Sequence, residues 1–201
     1  MKLYHAARTR SVRPRWLLEE MGVPYELVRL DMSKGEHKQP SYLAVHPHGA
    51  VPALQDGELS LYESAAICMY LADKYPDRKL CPQPGTAARG LYYQWVVYSI
   101  ATLEPPLIQI FQHTIMLPED KRSPQAVEEA QKNFAAVARV LSDALSGKQF
   151  LLGDTFSAAD VMIGSTLAWA AMLGLLSDFP VLQDYVARLT QRPAYQKAAA
   201  D

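Results

Sequence analysis

Along this chain a period-two alternation of apolar and polar residues gives way to helical spacing and then returns. Beyond about residue 86 only the helical spacing is left. Lys2-Leu3-Tyr4-His5 is a short strand candidate. Val12 to Met21 has helical spacing around Trp16, Leu17 and Leu18, with Gly22 placed as a C-terminal stop. Tyr25 to Leu30 alternates as a strand, so the opening reads βαβ, which implies a parallel pair and a right-handed crossover. Asp31 to Pro40 is polar and reads as loop. Val51 to Gln55 and Leu59 to Leu61 flank Asp56-Gly57-Glu58, which predicts a two-strand hairpin. Glu63 to Tyr75 is helical again.

Asp77 to Gly85 holds two prolines and a glycine without periodicity and reads as a linker. The helical remainder is predicted at about 86–116, 124–146, 157–176 and 180–190, with a short terminal piece. Pro105-Pro106 should kink or split the first of these. Ser157-Ala158-Ala159-Asp160 has capping-box spacing, with Asp in place of the usual Glu or Gln, and Phe156 is placed to staple to Val161. Asp160 therefore reads as a folding signal for a buried helix and not as a catalytic acid. The expected fold class is an α/β N-terminal domain over residues 1–77, a linker over 78–85 and an all-α domain over 86–201.

Composition changes this picture little. The chain has 201 residues, enough for one large or two small domains, and its 49% apolar and 20% charged residues are ordinary for a globular protein. A net charge of −1 gives no reason to expect nucleic acid or an anionic membrane as partner. No N-terminal apolar signal region and no apolar run near the roughly 20 residues of a membrane span is present. Cys68 and Cys81 make no disulfide framework and fit no common metal spacing. The expectation is a reduced, cytoplasmic protein with two free, non-catalytic cysteines.

One segment breaks the strand pattern. Gly49-Ala50-Val51-Pro52-Ala53-Leu54 embeds a proline in a β-favouring run, although proline cannot donate to a sheet ladder. A cis Val51-Pro52 bond accounts for it. The backbone of Val51 is then expected to face outward and pair with a ligand peptide as a short extra strand. Glu63-Ser64 reads as the mouth of a helix, whose unpaired N–H groups and positive dipole end suit a carboxylate. A peptide clamp beside a carboxylate pocket points to a small acidic peptide.

These residues carry a family resemblance. His46-Pro47-His48-Gly49-Ala50-Val51-Pro52-Ala53-Leu54, then Leu61-Tyr62-Glu63-Ser64-Ala65-Ala66-Ile67, then Gly153-Asp154-Thr155-Phe156-Ser157-Ala158-Ala159-Asp160 resemble, in order, three motifs of the cytosolic glutathione S-transferases. The resemblance is to a bacterial member with a serine/threonine-type and not a cysteine-type active site. It implies a thioredoxin-like N-terminal domain, an all-helical C-terminal domain, glutathione as co-substrate, no metal, and a homodimer. It implies that Ala50, Val51, Pro52, Glu63 and Ser64 bind glutathione, with His37 and Lys38 on its glycine carboxylate.

The thiolate is the nucleophile in such chemistry, so a hydrogen-bond donor must meet the sulfur. In Arg8-Thr9-Arg10-Ser11-Val12-Arg13, Thr9 matches the serine of the serine-type classes, and Arg10 stands where other members carry cysteine. Ser11 is the competing donor, or else an N-cap. Tyr4 matches the strand that bears tyrosine in other classes and also suits a core. Arg8, Arg10, Arg13 and Arg15 read either as a solvated face or, at Arg10, as positive potential near the sulfur. His46 and His48 lack supporting metal ligands. Trp95, Tyr98, Thr102, Ile108, Phe111 and Met172 are implied to border a second-substrate pocket for a hydrophobic electrophile. The rival functions are a non-catalytic glutathione-binding or protein-interaction module, and a glutathione-dependent peroxidase or dehalogenase.

Overall fold

The computed structural model describes residues 1–200, and the chain divides into two compact units, Met1–Cys81 with the stretch from Thr190 onward, and Pro82–Leu189. In the first unit, β1 (Lys2–His5), α1 (Val12–Met21), β2 (Glu26–Arg29), α2 (Pro40–Leu43), β3 (Ala53–Asp56), β4 (Leu59–Tyr62) and α3 (Ser64–Lys74) follow one another. The sheet order is β2-β1-β3-β4. β1 pairs parallel with β2 and antiparallel with β3, which pairs antiparallel with β4. Leu3, Trp16, Leu17, Leu54, Ile67 and Leu71 are fully buried. Gly22 takes a left-handed conformation and its N–H returns to Leu18 and Glu19, ending α1 where the sequence expects.

Three features differ from the sequence reading. The segment expected as loop from Asp31 to Pro40 holds a 3₁₀ turn over Glu36–Lys38 and leads into α2. Four residues are too few to show a helical period, so α2 is invisible to pattern. Ser11 heads α1 but makes no side-chain cap to it. The terminal helix α9 (Pro193–Ala199), expected within the helical domain, lies against α1 in the first unit. Tyr195 meets Trp16 edge-on at 4.9 Å, and Arg192 forks onto Glu20 at 2.6 and 2.7 Å. Lys197 pairs with Glu19 at 2.7 Å.

The second unit is helical: α4 (Ala87–Tyr98), α5 (Glu104–Phe111), α6 (Pro124–Leu145), α7 (Ala158–Met172) and α8 (Pro180–Thr190). The helical stretch predicted over 86–116, with a kink or split expected at Pro105-Pro106, is broken by wide π turns at Ser99–Leu103 and Gln112–Met116. Pro105 and Pro106 fall in the first turn of α5, where a missing N–H is tolerated, and the wide turn before them relieves the clash with the preceding carbonyls. At the head of α7, Asp160 is fully buried and accepts from the N–H groups of Leu151 and Ser157, the Ser157 hydroxyl and the Tyr185 hydroxyl. Burial pushes the Asp160 pKa up against those four donors. All its acceptor capacity goes to folding partners, so its role is structural. Phe156 rests edge-on against Phe150 at 5.6 Å.

Candidate active site

Strand register gathers the predicted site residues of the first unit at one edge of the sheet. Tyr4 lies opposite Ala53, and Ala53 opposite Tyr62. One step further along the ladder, the end of β1, the start of β3 and the end of β4 are side by side. The loop carrying Thr9 and Ser11, the Val51-Pro52 pair and the Glu63-Ser64 pair therefore leave the sheet at the same edge.

Each pair has a distinct local geometry. The Val51-Pro52 bond is cis, as the sequence expects. Among the described residues, no partner in the chain meets the Val51 backbone N–H or C=O. Glu63 has φ 71° and ψ 114°, a left-handed conformation that costs a residue with a Cβ roughly 1–3 kcal/mol and clusters at functional positions. It is exposed at the mouth of α3, while Ser64 is 4% exposed and accepts a hydrogen bond from Arg13 Nη1 at 3.2 Å. Gly49 has φ 57°, and a Cβ there would come within 2.5 Å of the His37 carbonyl oxygen, so only glycine fits. That close approach joins the His37 loop to the segment before Val51. Lys38 Nζ donates to the His48 carbonyl at 2.9 Å, and the Tyr42 hydroxyl donates to the Ala50 carbonyl.

Thr9 and Ser11 stand hydroxyl to hydroxyl, 2.7 Å apart. Thr9 is half-buried and Ser11 is fully buried. Ser11 Oγ also lies 2.8 Å from His5 Nδ1 and 3.2 Å from the Ala6 nitrogen, and it makes no N-cap, the alternative reading of this residue. His5 Nε2 in turn lies 3.2 Å from Arg15 Nη1. The four arginines separate: Arg13 and Arg15 are buried and hydrogen-bonded, against the reading of a solvated face, while Arg8 and Arg10 are exposed. A cleft of about 360 Å³ opens beside the end of β1, lined by His5, Ala6, Ala7, Arg29, Leu30, Asp31 and Glu36. None of Thr9, Ser11, Val51, Pro52, Glu63 and Ser64 lines it.

Several candidates are accounted for by packing. The Tyr4 hydroxyl donates to Gln55 Oε1 at 2.6 Å and its ring leans on Tyr42. Cys68 is free and buried, which pushes its thiol up to about 12, and Cys81 is free and bonded to the Ala72 carbonyl. His46 is buried against the Tyr62 ring with centroids 4.6 Å apart. Burial first, then the neighbouring His48, holds its pKa below the ordinary value. Among the described residues no group of three or more His, Cys, Asp or Glu side chains could hold a metal.

The second-substrate candidates lie in the second unit in different settings. Trp95 is buried and meets the half-buried Tyr98 at 5.3 Å, and Phe111 meets Trp169 at 5.9 Å. Ile108 is half-buried, Thr102 is exposed in the first π turn, and Met172 is 82% exposed at the end of α7. His5 was missed by the sequence reading, because a histidine ending a strand looks like any other alternating position, and Arg15 was read only as one of four clustered arginines. Only the fold reveals their link to Ser11.

Comparison with known proteins adds to this geometry. A family model described as "Glutathione S-transferase, N-terminal domain" matches residues 1–73, and one described as "Glutathione S-transferase, C-terminal domain" matches residues 124–188. The probable glutathione S-transferase GSTF2 of Oryza sativa subsp. japonica is 35% identical over 100% of this chain and 96% of its own. Among solved structures, the glutathione transferase URE2P6 from Phanerochaete chrysosporium, in complex with oxidized glutathione, superposes with a TM-score of 0.88. It is 30% identical over 98% of this chain and 93% of its own. BphK, a bacterial GST solved as a ternary complex, has a TM-score of 0.86 and 30% identity, over 100% of this chain and 98% of its own.

Proposed function

Because the chain belongs to the glutathione S-transferase family, we propose that it joins the glutathione thiolate to hydrophobic electrophiles through a serine/threonine-type site. The observation that carries this reading is the shared sheet edge at which Thr9, the unpaired Val51 backbone and Ser64 leave the fold. The Val51 N–H and C=O pair with the peptide of glutathione as a short added strand. Ser64 and the first N–H groups of α3 receive the γ-glutamyl carboxylate, and Glu63 meets the ammonium. His37 and Lys38, held against Gly49 and His48, reach the glycine carboxylate.

The thiol then lies by Thr9. A free thiol titrates near 8.5, so at neutral pH only a few per cent is thiolate. One hydrogen bond to the charged form, worth roughly 1.5–3 kcal/mol, lowers that value by about one to two units. The thiolate forms a carbon–sulfur bond to the electrophile, and the electron pair it displaces leaves with the leaving group or stays on the activated acceptor. Arg10, exposed beside the two hydroxyls in sequence, adds positive potential for an anionic product. Trp95, Tyr98, Thr102, Ile108, Phe111 and Met172 supply the apolar contacts for the electrophile.

The same reading assigns a detoxifying role, a cytoplasmic location, a bacterial source and a homodimer. No helix of the described residues is long and apolar enough to cross a membrane. BphK supports the source. Exposed Leu91, Tyr93 and Val97 on α4 support a second copy as partner. One preparation tests the reading in three ways: retention on immobilised glutathione, thiol consumption with a model aryl halide, and mass by light scattering. The expected result is retention, turnover and twice the 22.4 kDa chain mass. Retention without turnover of any electrophile would make the chain a binding module.

A further inference from the structure

At 2.7 Å one of the two hydroxyls, Thr9 or Ser11, donates to the other, and the direction decides which proton is left for a ligand. The buried neighbours set that direction. A guanidinium has donors and no acceptor, so at the 3.2 Å contact Arg15 Nη1 donates to His5 Nε2. The imidazole proton then sits on Nδ1 and is donated to Ser11 Oγ, 2.8 Å away. The Ala6 N–H donates to the same oxygen at 3.2 Å. A hydroxyl offers two acceptor lone pairs and one proton. With both lone pairs of Ser11 filled, its hydroxyl can only donate, to Thr9 Oγ at 2.7 Å or to the Ala6 carbonyl at 3.0 Å.

Thr9 completes the chain. Its oxygen accepts from Ser11 Oγ and from the Ser11 N–H at 3.3 Å. Its remaining capacity is its own proton, which rests on the Ala6 carbonyl at 2.7 Å. A thiolate is a charged acceptor, and charge-assisted hydrogen bonds are roughly twice as strong as neutral ones. It therefore draws the Thr9 proton off the Ala6 carbonyl, while the Ser11 proton stays on Thr9 Oγ. His5, Ser11 and Arg15 are 2%, 0% and 5% exposed, so water does not compete for these bonds.

We propose that His5, set in its tautomer by Arg15, is a positioning residue that turns the Ser11 and Thr9 hydroxyls so that Thr9 presents its proton to the glutathione sulfur. This rests on the reading of Thr9 as the sulfur's donor. A network that served only to pin the turn after β1 would leave the ionisation of the bound thiol untouched.

The test has two parts. Long-range ¹⁵N–¹H NMR of His5 in the unaltered protein reads the tautomer directly: the Nδ1–H form is expected, and the Nε2–H form overturns the proposal. Ultraviolet titration of bound glutathione then compares the parent with Thr9→Val, His5→Leu and His5→Asn. Thr9→Val and His5→Leu should each raise the thiol pKa by about 1, a tenfold loss of thiolate at low pH, with glutathione still bound. His5→Asn should restore the parent value, because its amide N–H can stand where Nδ1–H donates. A raised pKa in Thr9→Val with none in His5→Leu overturns the role of His5 and leaves Thr9 as donor. No change in Thr9→Val removes the reading on which the proposal stands. Should His5→Leu fail to fold, the tautomer decides alone.

Discussion

Ser64 shows how a single side chain can be prepared for a ligand. Its hydroxyl oxygen accepts from Arg13, so its own proton remains for an incoming carboxylate. Hydrogen bonds to charged groups contribute roughly 1.5–3 kcal/mol, and 1.4 kcal/mol is tenfold in affinity. Ser64→Ala should therefore weaken glutathione binding by roughly tenfold or more, measured by calorimetry on a folded variant. Unchanged affinity would remove Ser64 from the site. His46 gives a second residue-level expectation, with a definite sign. The folded chain holds its pKa below the ordinary value of about 6.5. The unfolded chain therefore takes up a proton near that pH which the folded chain refuses until lower pH. Stability is full above about 6.5 and falls as pH drops from there toward the folded value. His46→Phe keeps the contact with Tyr62 and should abolish that slope when denaturant midpoints are compared at about pH 7.5 and about pH 5.5. Equal slopes in parent and variant would assign the loss to other groups. The motif residues Val51, Pro52, Glu63 and Ser64 are legible in the sequence because their chemistry is written in local order. The partners of Ser11 are not, because His5 and Arg15 reach it only once the turn after β1 has folded.

At the scale of elements, legibility followed length and period. Helix α6 and the ends of α1 lie close to where spacing and Gly22 put them. Helix α2 is one turn and has no period to read. The π turns are absent from any apolar pattern, although Pro105-Pro106 marks where the helix resumes after the first break. The docking of α9 on α1 has no local signal, because its partners lie at the other end of the chain. Its energetics are testable. Tyr195 is half-buried and edge-on to the fully buried Trp16. Truncating a fully buried aromatic costs roughly 3–5 kcal/mol, and half-burial brings Tyr195→Ala to about 2 kcal/mol. Chemical denaturation should show that loss, and a loss of a few tenths would mean that the Arg192–Glu20 and Lys197–Glu19 pairs, not the ring, hold the helix.

For the molecule as a whole, the order βαβ, ββα and then helices was legible before any coordinates, because two periodicities separate cleanly in the sequence. What the sequence could not supply is the arrangement in space. Register sets Thr9, Val51 and Ser64 at one sheet edge, and that arrangement makes three scattered motifs into one candidate site. The most direct test is a crystal structure of this chain with glutathione bound. The expected result has the tripeptide backbone paired with Val51, its γ-glutamyl carboxylate on Ser64, and its sulfur within hydrogen-bonding distance of Thr9 Oγ. A sulfur turned to Ser11, or a tripeptide bound away from this edge, would contradict the account.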